Sequence, residues 1–393
     1  MVVPHPSVEL PADLREELVA VRRDLHAHPE LGNGEYRTTG VVVGRLQQAG
    51  LDVKRLPGTG LLCDIGDVTA AAVALRADLD ALPVAEISGV EFTSTVPGVA
   101  HACGHDVHTT VVLGAGLVLA EMHARGALPG RVRLMFQPAE EVTPGGAMDV
   151  IAAGGLEGVS RLFAVHCDPR LDVGRVGLRA GPITSASDHV LVRLSGPGGH
   201  TSRPHLTADV VFALGQLAVT LPGVLGRRLD PRSGVNLTWG RIDAGIAPNA
   251  VPTSGEIEGT LRVLDVHAWE EAGDLIDAAV RHIVAPYGVE AEVVLTRSVP
   301  PVDNDAASVH LLQLAAHDEL GADAEAPTEQ SLGGEDFGWY LRHGVPGALA
   351  RLGTRTPGGR SYDLHQGDLV IDEAAIGVGV RLLVATALRS VTP

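Results

Sequence analysis

The stretch Ala70-Ala71-Ala72-Val73-Ala74-Leu75-Arg76-Ala77-Asp78-Leu79-Asp80 decides the fold. Its first six residues are a continuous apolar run of strand length, the pattern of a strand covered on both faces. The run then ends in two carboxylates. The same pattern occurs at residues 131–136, leading into Gln137-Pro138-Ala139-Glu140-Glu141, and at residues 162–165, leading into His166-Cys167-Asp168. Helical sequence precedes each strand, so the chain reads as α/β, with a mixed-sheet domain carrying helices on both faces. Ligands bind beyond the carboxyl ends of the strands in such sheets. Three strands ending in acidic or imidazole residues therefore predict that Asp78, Asp80, Glu140, Glu141 and His166 share one rim.

Between the first two strands lies His101-Ala102-Cys103-Gly104-His105-Asp106-Val107-His108, with a thiol, imidazoles and a carboxylate side by side. Soft and borderline donors in this density suit a transition metal. Cys103 and His105, one glycine apart, face the same way if the backbone is extended. The plainer reading is a polar loop capping the helix expected at 109–124. Two donors do not close a metal site, and the others come from elsewhere in the chain. Glu140 and Glu141 are adjacent and expected to point to different sides, one toward a metal and one free as a base. A helix N-terminus would also favour their charge, and His166 taken singly would be a core histidine.

Further helices are expected at 13–28, 38–49, 307–320 and 374–389, with an ordinary polar loop at 321–330. The composition changes after Gly181-Pro182. From there to Pro300-Pro301 the order is strand, helix, strand, strand, helix, strand, the ferredoxin-like arrangement. This divides the chain into a mixed-sheet α/β domain at 1–184 and 299–393 and an inserted ferredoxin-like α+β domain at 185–298. The formal net charge of −18 and a single lysine, Lys54, give no electrostatic footprint for nucleic acid or anionic lipid. Cys63, Cys103 and Cys167 do not form a disulfide framework. Residues 1–12 lack the pattern of a signal peptide. The longest apolar run, 111–120, is about half the length that spans a bilayer. A cytoplasmic location with no membrane partner is the expectation.

Several segments occur in order: Arg22-Arg23-Asp24-Leu25-His26-Ala27-His28-Pro29-Glu30-Leu31-Gly32, the 76–83 segment, the 101–106 segment, Phe136-Gln137-Pro138-Ala139-Glu140-Glu141, Gly198-Gly199-His200 with Pro204-His205, Gly334-Glu335-Asp336-Phe337 and Leu364-His365. Together they strongly resemble the metal-dependent amidohydrolases typified by hippurate hydrolase and the indole-3-acetyl-amino-acid hydrolases, relatives of aminoacylase and carboxypeptidase G. The resemblance implies two divalent metal ions per subunit, zinc, manganese or cobalt, held by Cys103, His105, Glu141, His166 and His365. It puts the Cys103 thiolate where a bridging carboxylate sits in the wider family. It implies Glu140 as general base toward a metal-bridging water, with Asp80 supporting the site from behind. The insert is then a lid and dimerisation domain, with His200 reaching a partner subunit's site to stabilise the oxyanion. Asn249 and Arg262 match lid residues that hold the substrate carboxylate.

The implied reaction is hydrolysis of the amide in an N-acyl or N-aroyl amino acid, a small-molecule substrate, by a homodimer. The alternatives are a deacetylase of N-acetyl-diamino acids or N-acetylcysteine and, in another class, an inactive ligand-binding homologue. The chain departs from the family at Asn33-Gly34-Glu35, where two acidic residues often sit, and after His365, where Gln366-Gly367-Asp368-Leu369 replaces an aromatic-bearing segment. Both departures are expected to bear on the acyl pocket.

Overall fold

A computed structural model describes residues 8–391. The signal-peptide reading of residues 1–12 therefore falls largely outside the described residues. The described residues form two compact units, one of residues 8–181, 304–329 and 339–391, the other of residues 182–303 and 330–338. The 330–338 segment thus joins the second unit, whereas the composition change at Pro300-Pro301 suggested that the insert ended there. A nine-residue return carries no periodicity that sequence could register.

In chain order the first unit begins with α1 (Ala12–Ala27), α2 (Tyr36–Gln48), β1 (Val53–Arg55), β2 (Leu61–Ile65), β3 (Ala72–Asp78), α3 (His105–Ala124), β4 (Arg131–Gln137), α4 (Ala147–Ala152), β5 (Val159–Asp172) and β6 (Val176–Gly177). The second contains β7 (Gly181–Thr184), β8 (Ala186–Ser195), β9 (Gly199–His200), α5 (Val210–Arg228), β10 (Asn236–Ala244), β11 (Ala250–Val251), β12 (Ser254–Val263), α6 (Val266–Val284), β13 (Glu290–Val299) and β14 (Val302–Asn304). The chain closes with α7 (Ala306–Leu320), β15 (Glu325–Ala326), α8 (Gly338–Arg342), β16 (Gly347–Arg355) and α9 (Ala374–Val391). β15 lies inside the stretch read from sequence as a polar loop, where two edge residues were too few to leave a pattern.

The first unit is built on an eight-stranded sheet of order β1-β2-β4-β3-β5-β16-β6-β15. β4, β3, β5 and β16 run parallel at its centre, and antiparallel pairs at β1–β2, β2–β4 and β16–β6 make it mixed. Every residue of β3 and β4 is buried, as their apolar runs require. One face presents Val73, Leu75, Ala77, Val132, Leu134, Phe136, Phe163 and Val165 to the core shared with α3 and α9. Glycines let these helices approach closely. A Cβ at Gly116 of α3 would sit 2.3 Å from Leu134, and one at Gly379 of α9 would sit 2.8 Å from Val111. The opposite face carries Arg76, Arg133 and Gln137. Arg133 bonds the carbonyls of Gly155 and Glu157 just after α4, and Gln137 accepts the hydroxyl proton of Tyr340 in α8 at 2.8 Å. Helices therefore stand on both faces, the long ones on one and short ones on the other.

The second unit has a four-stranded sheet of order β10-β12-β8-β13, all neighbours antiparallel, with α5 and α6 as its helices. That is the ferredoxin-like order. Three helices, α3, α5 and α9, are by length and composition able to cross a bilayer, which the 111–120 run alone did not suggest. α3 and α9 are mostly buried within the protein, and α5 is about one-third buried.

Candidate active site

The carboxyl ends of β3, β4 and β5 place most of the expected residues together. His105 is the first residue of α3, preceded by Gly104 at φ 90°. The Cys103–His105 segment is therefore a left-handed helix entry and not an extended strand. A Cβ at Gly104 would come within 2.8 Å of Cys167 Sγ, so glycine is needed for space as well as for φ. His105 Nδ1 donates to the Asp80 carbonyl at 2.9 Å and lies 3.2 Å from Asp80 Oδ1. Its Nε2 is buried with no hydrogen-bond partner, 3.7 Å from Glu140 Oε2 and 3.9 Å from Glu141 Oε1. Both carboxylates thus converge on one imidazole, contrary to the expectation that they diverge. The reason is local: Ala139 adopts φ 52°, so Glu140 and Glu141 lie on a turn and not on a pleated strand.

His166 sits within β5 and not just beyond it. Its Nδ1 donates to the Cys167 carbonyl at 2.9 Å, which leaves the Nε2 lone pair to accept from the Cys103 thiol at 3.5 Å. His365 lies between β16 and α9 at φ 62°, tied down by its amide to the Ala102 carbonyl at 2.7 Å, with Nε2 3.1 Å from Glu141 Oε1. Single donor atoms of Cys103, His105 and His166 lie within 4.8 Å of one another, as do those of Cys103, Glu141 and His365. Cys103 belongs to both triads. His108 comes near the same cluster but is spent: Nδ1 donates to Asp78 Oδ1 at 2.7 Å, and Nε2 accepts the Cys167 amide at 2.8 Å.

The electrostatics follow from burial amid acidic groups. Burial pushes the Cys103 thiol up to about 12, against the pull of His105. Burial also lowers His105, but the charges of Asp78 and Cys103 and the Asp80 bond outweigh it and hold the imidazole well above its ordinary value. His166 is driven well below its ordinary value by burial, Arg351 and His108. Asp78 resists burial through His105, His108 and Arg76 and stays well below the carboxylate range.

The model for peptidase family M20/M25/M40 matches residues 74–389. The chain belongs to this family. A dinuclear metal-binding M20 peptidase from Bacillus subtilis superposes with a TM-score of 0.84 at 32% identity, covering 97% of this chain and 99% of that one. The N-acetyl-L-cysteine deacetylase of Bacillus subtilis is 37% identical over 92% of this chain and 85% of its own length. A protein of Rhodococcus jostii named putative glutamate–cysteine ligase 2-3 is 53% identical over 94% of this chain. The match occupies only 46% of that relative, so the M20 chain spans about half its length. Membership places the chain among metal-dependent hydrolases of amide and peptide bonds.

The residues present fit a metal pair. A buried imidazole nitrogen with no partner, a second imidazole lone pair, a thiol and two carboxylates converge where the acidic field otherwise holds a proton on His105. A divalent cation satisfies that field, and the thiol and imidazoles suit zinc while the carboxylates admit manganese or cobalt.

The insert holds the remaining predicted residues. His200 on β9 is exposed, and β9 pairs with β11 so that Ala250 lies opposite it. The Thr201 amide bonds the Asn249 carbonyl at 3.3 Å, which brings Asn249 and His200 to one corner. His200 Nδ1 accepts the Ser202 amide at 3.1 Å, so the neutral ring carries its proton on Nε2. Arg262 stands on β12 opposite Ser187 and donates to the Leu332 carbonyl. It is apart from the His200 corner in the sheet register. Sequence reading did not single out Glu35, whose carboxylate bonds the Ala139 amide across 104 residues of chain; only its oddity within Asn33-Gly34-Glu35 pointed to it.

Proposed function

We propose that the chain hydrolyses the amide bond of N-acyl or N-aroyl amino acids. The observation that carries this reading is the pair of donor triads meeting at Cys103, with the Glu140 carboxylate beside them, 3.7 Å from His105 Nε2. Cys103, His105, His166, Glu141 and His365 would hold two divalent ions, with Cys103 shared. When bound, such a pair supplies Lewis acidity and lowers the pKa of water in the cleft toward ~7. Glu140 takes the proton from the attacking water and returns it to the leaving amine. Asp80 fixes His105 through its carbonyl and carboxylate, so that Nε2 is the nitrogen presented. His200, protonated on Nε2, is suited to donate to the oxyanion. Asn249, ahead of β12, and Arg262, at its far end, would hold one substrate carboxylate when they come from different subunits of the dimer. The chain works as a homodimer through the insert, a reading supported by the exposed Val211, Phe212 and Val219 of α5.

A second reading narrows the substrate to N-acetylcysteine. Three relatives point that way, two named for deacetylating that compound and one named for a ligase acting on cysteine. The test is a metal-reconstituted activity screen against N-acetyl, N-benzoyl and longer N-acyl amino acids, N-acetylcysteine included. Turnover of several amino acids bearing one acyl group supports the first reading, and turnover of the cysteine derivative alone supports the second. Glu140→Gln should retain both metals while turnover falls about 10²–10⁴-fold. Near-normal turnover would remove Glu140 from the role of base.

A further inference from the structure

Glu35 is fully buried, and among the described residues it has no ion pair. A carboxylate in that state is costly unless its oxygens are bonded. Both are. Oε2 accepts the hydroxyl of Thr59, itself buried, at 2.7 Å, and Oε1 accepts the Ala139 amide at 2.7 Å. Asp80 then takes the next two amides: Oδ1 accepts that of Glu140 at 3.1 Å and Oδ2 that of Glu141 at 2.9 Å. Three successive backbone N–H groups therefore close on two carboxylates, the arrangement of an anion nest. The nest begins at Ala139, a non-glycine residue at φ 52°, and such a conformation persists only where its surroundings impose it. On the far side, the Ala139 carbonyl accepts the Gly146 amide at 3.0 Å.

We propose that Glu35 is a positioning residue for hydrolysis: by holding the Ala139 amide it fixes the left-handed turn that brings Glu140 and Glu141 together beside His105. The inference rests on the reading of Glu140 as the base. It assigns the unusual Asn33-Gly34-Glu35 segment to the underside of the catalytic turn and not to an acyl pocket. Glu35 touches no reacting atom. Its effect passes through the backbone, so it bears on the rate of proton transfer and leaves substrate binding to other groups.

The experiment compares Glu35→Ala, Glu35→Gln and Glu140→Gln in the metal-reconstituted full chain, measuring kcat, KM and bound metal. Glu35→Ala should lower kcat about 10–100-fold with KM within about two-fold and both metals bound at saturating metal. Glu35→Gln keeps an acceptor for Ala139 and can donate to Thr59, so it should recover most of the lost kcat. A wild-type kcat in Glu35→Ala, or equal damage in Glu35→Gln, overturns the inference. If Glu35→Ala does not fold, Thr59→Val removes the bond that orients Oε2 and should lower kcat several-fold; an unchanged kcat there overturns the inference equally. Full turnover in Glu140→Gln removes the base and the positioning role together. An inactive Glu140→Gln beside an unaffected Glu35→Ala overturns the positioning role alone.

Discussion

The two units hold their candidate functional residues in opposite ways. In the α/β unit Cys103, His105, His166, Asp78 and Asp80 are all buried, and His105 and His166 each commit Nδ1 to a backbone carbonyl; His365, exposed, is the exception. In the insert His200 and Asn249 are exposed, and among the described residues the His200 ring is bonded only by Ser202, two residues on. The difference teaches what each set is suited for. Buried donors with fixed tautomers keep their geometry without a ligand, as a metal site requires. Exposed donors on short local bonds are cheap to move, as groups that meet a substrate must be.

The sharpest way to break this contrast is Cys103→Ser. The buried side holds its shape through shared donors, and Cys103 is the one donor common to both triads. A hydroxyl does not ionise as a thiol does, so both metals should weaken together. Loss of metal charge stabilisation worth several kcal/mol then lowers turnover by at least ~10³. Metal content by elemental analysis decides the matter: an unchanged two ions per chain would take Cys103 out of the ligand set. On the exposed side, His200→Ala should leave thermal unfolding and metal content unchanged while kcat drops about 10²–10³-fold, the usual cost of one oxyanion donor. Undiminished turnover would leave His200 with no part in the oxyanion, and a large loss of stability would contradict its loose attachment.

Sequence showed most where chemistry and periodicity coincide. The apolar runs 70–75, 131–136 and 162–165 at the hearts of β3, β4 and β5, and the ferredoxin-like order, were legible because continuous apolar runs and the alternation of helix and strand are local patterns, whereas the extension of β5 to Asp172 was not. The residue pattern alone pointed to Cys103, His105, the Glu140-Glu141 pair and His166, because few residue types bind metals; His365 entered only through the family resemblance. Backbone sign was not legible: nothing in Pro138-Ala139-Glu140 announces φ 52° at an alanine, so the convergence of the two carboxylates was read as divergence. Nor was distance in the chain. Glu35 meets Ala139 across 104 residues and Arg22 meets Asp106 across 84, and a single sequence carries no signal for such pairs.

The smallest expected effect concerns how the buried side is kept rigid away from the metal donors. His26 of α1 lies behind the Cys-Gly-His segment, with Nδ1 2.8 Å from Asp106 Oδ2 and Nε2 3.0 Å from Glu86 Oε1. Arg22 Nε adds a bond to the same Asp106 oxygen at 2.8 Å. Burial lowers the His26 imidazole, but the bonds and charges of Asp106 and Glu86 prevail over it and over the repulsion of Arg22, raising it to about 9. A folded pKa above the unfolded value of about 6.5 means that protonated His26 stabilises the fold fully below that pH. The contribution is lost as pH rises through about 9. The shift corresponds to about 3 kcal/mol. Urea unfolding of the wild type should therefore weaken between pH 6.5 and 9.5, and His26→Gln, less stable at pH 6.5, should show a flatter dependence. Parallel slopes in the two proteins would mean that His26 is neutral in the fold, and that α1 is tied to the metal loop by the Arg22–Asp106 pair without it.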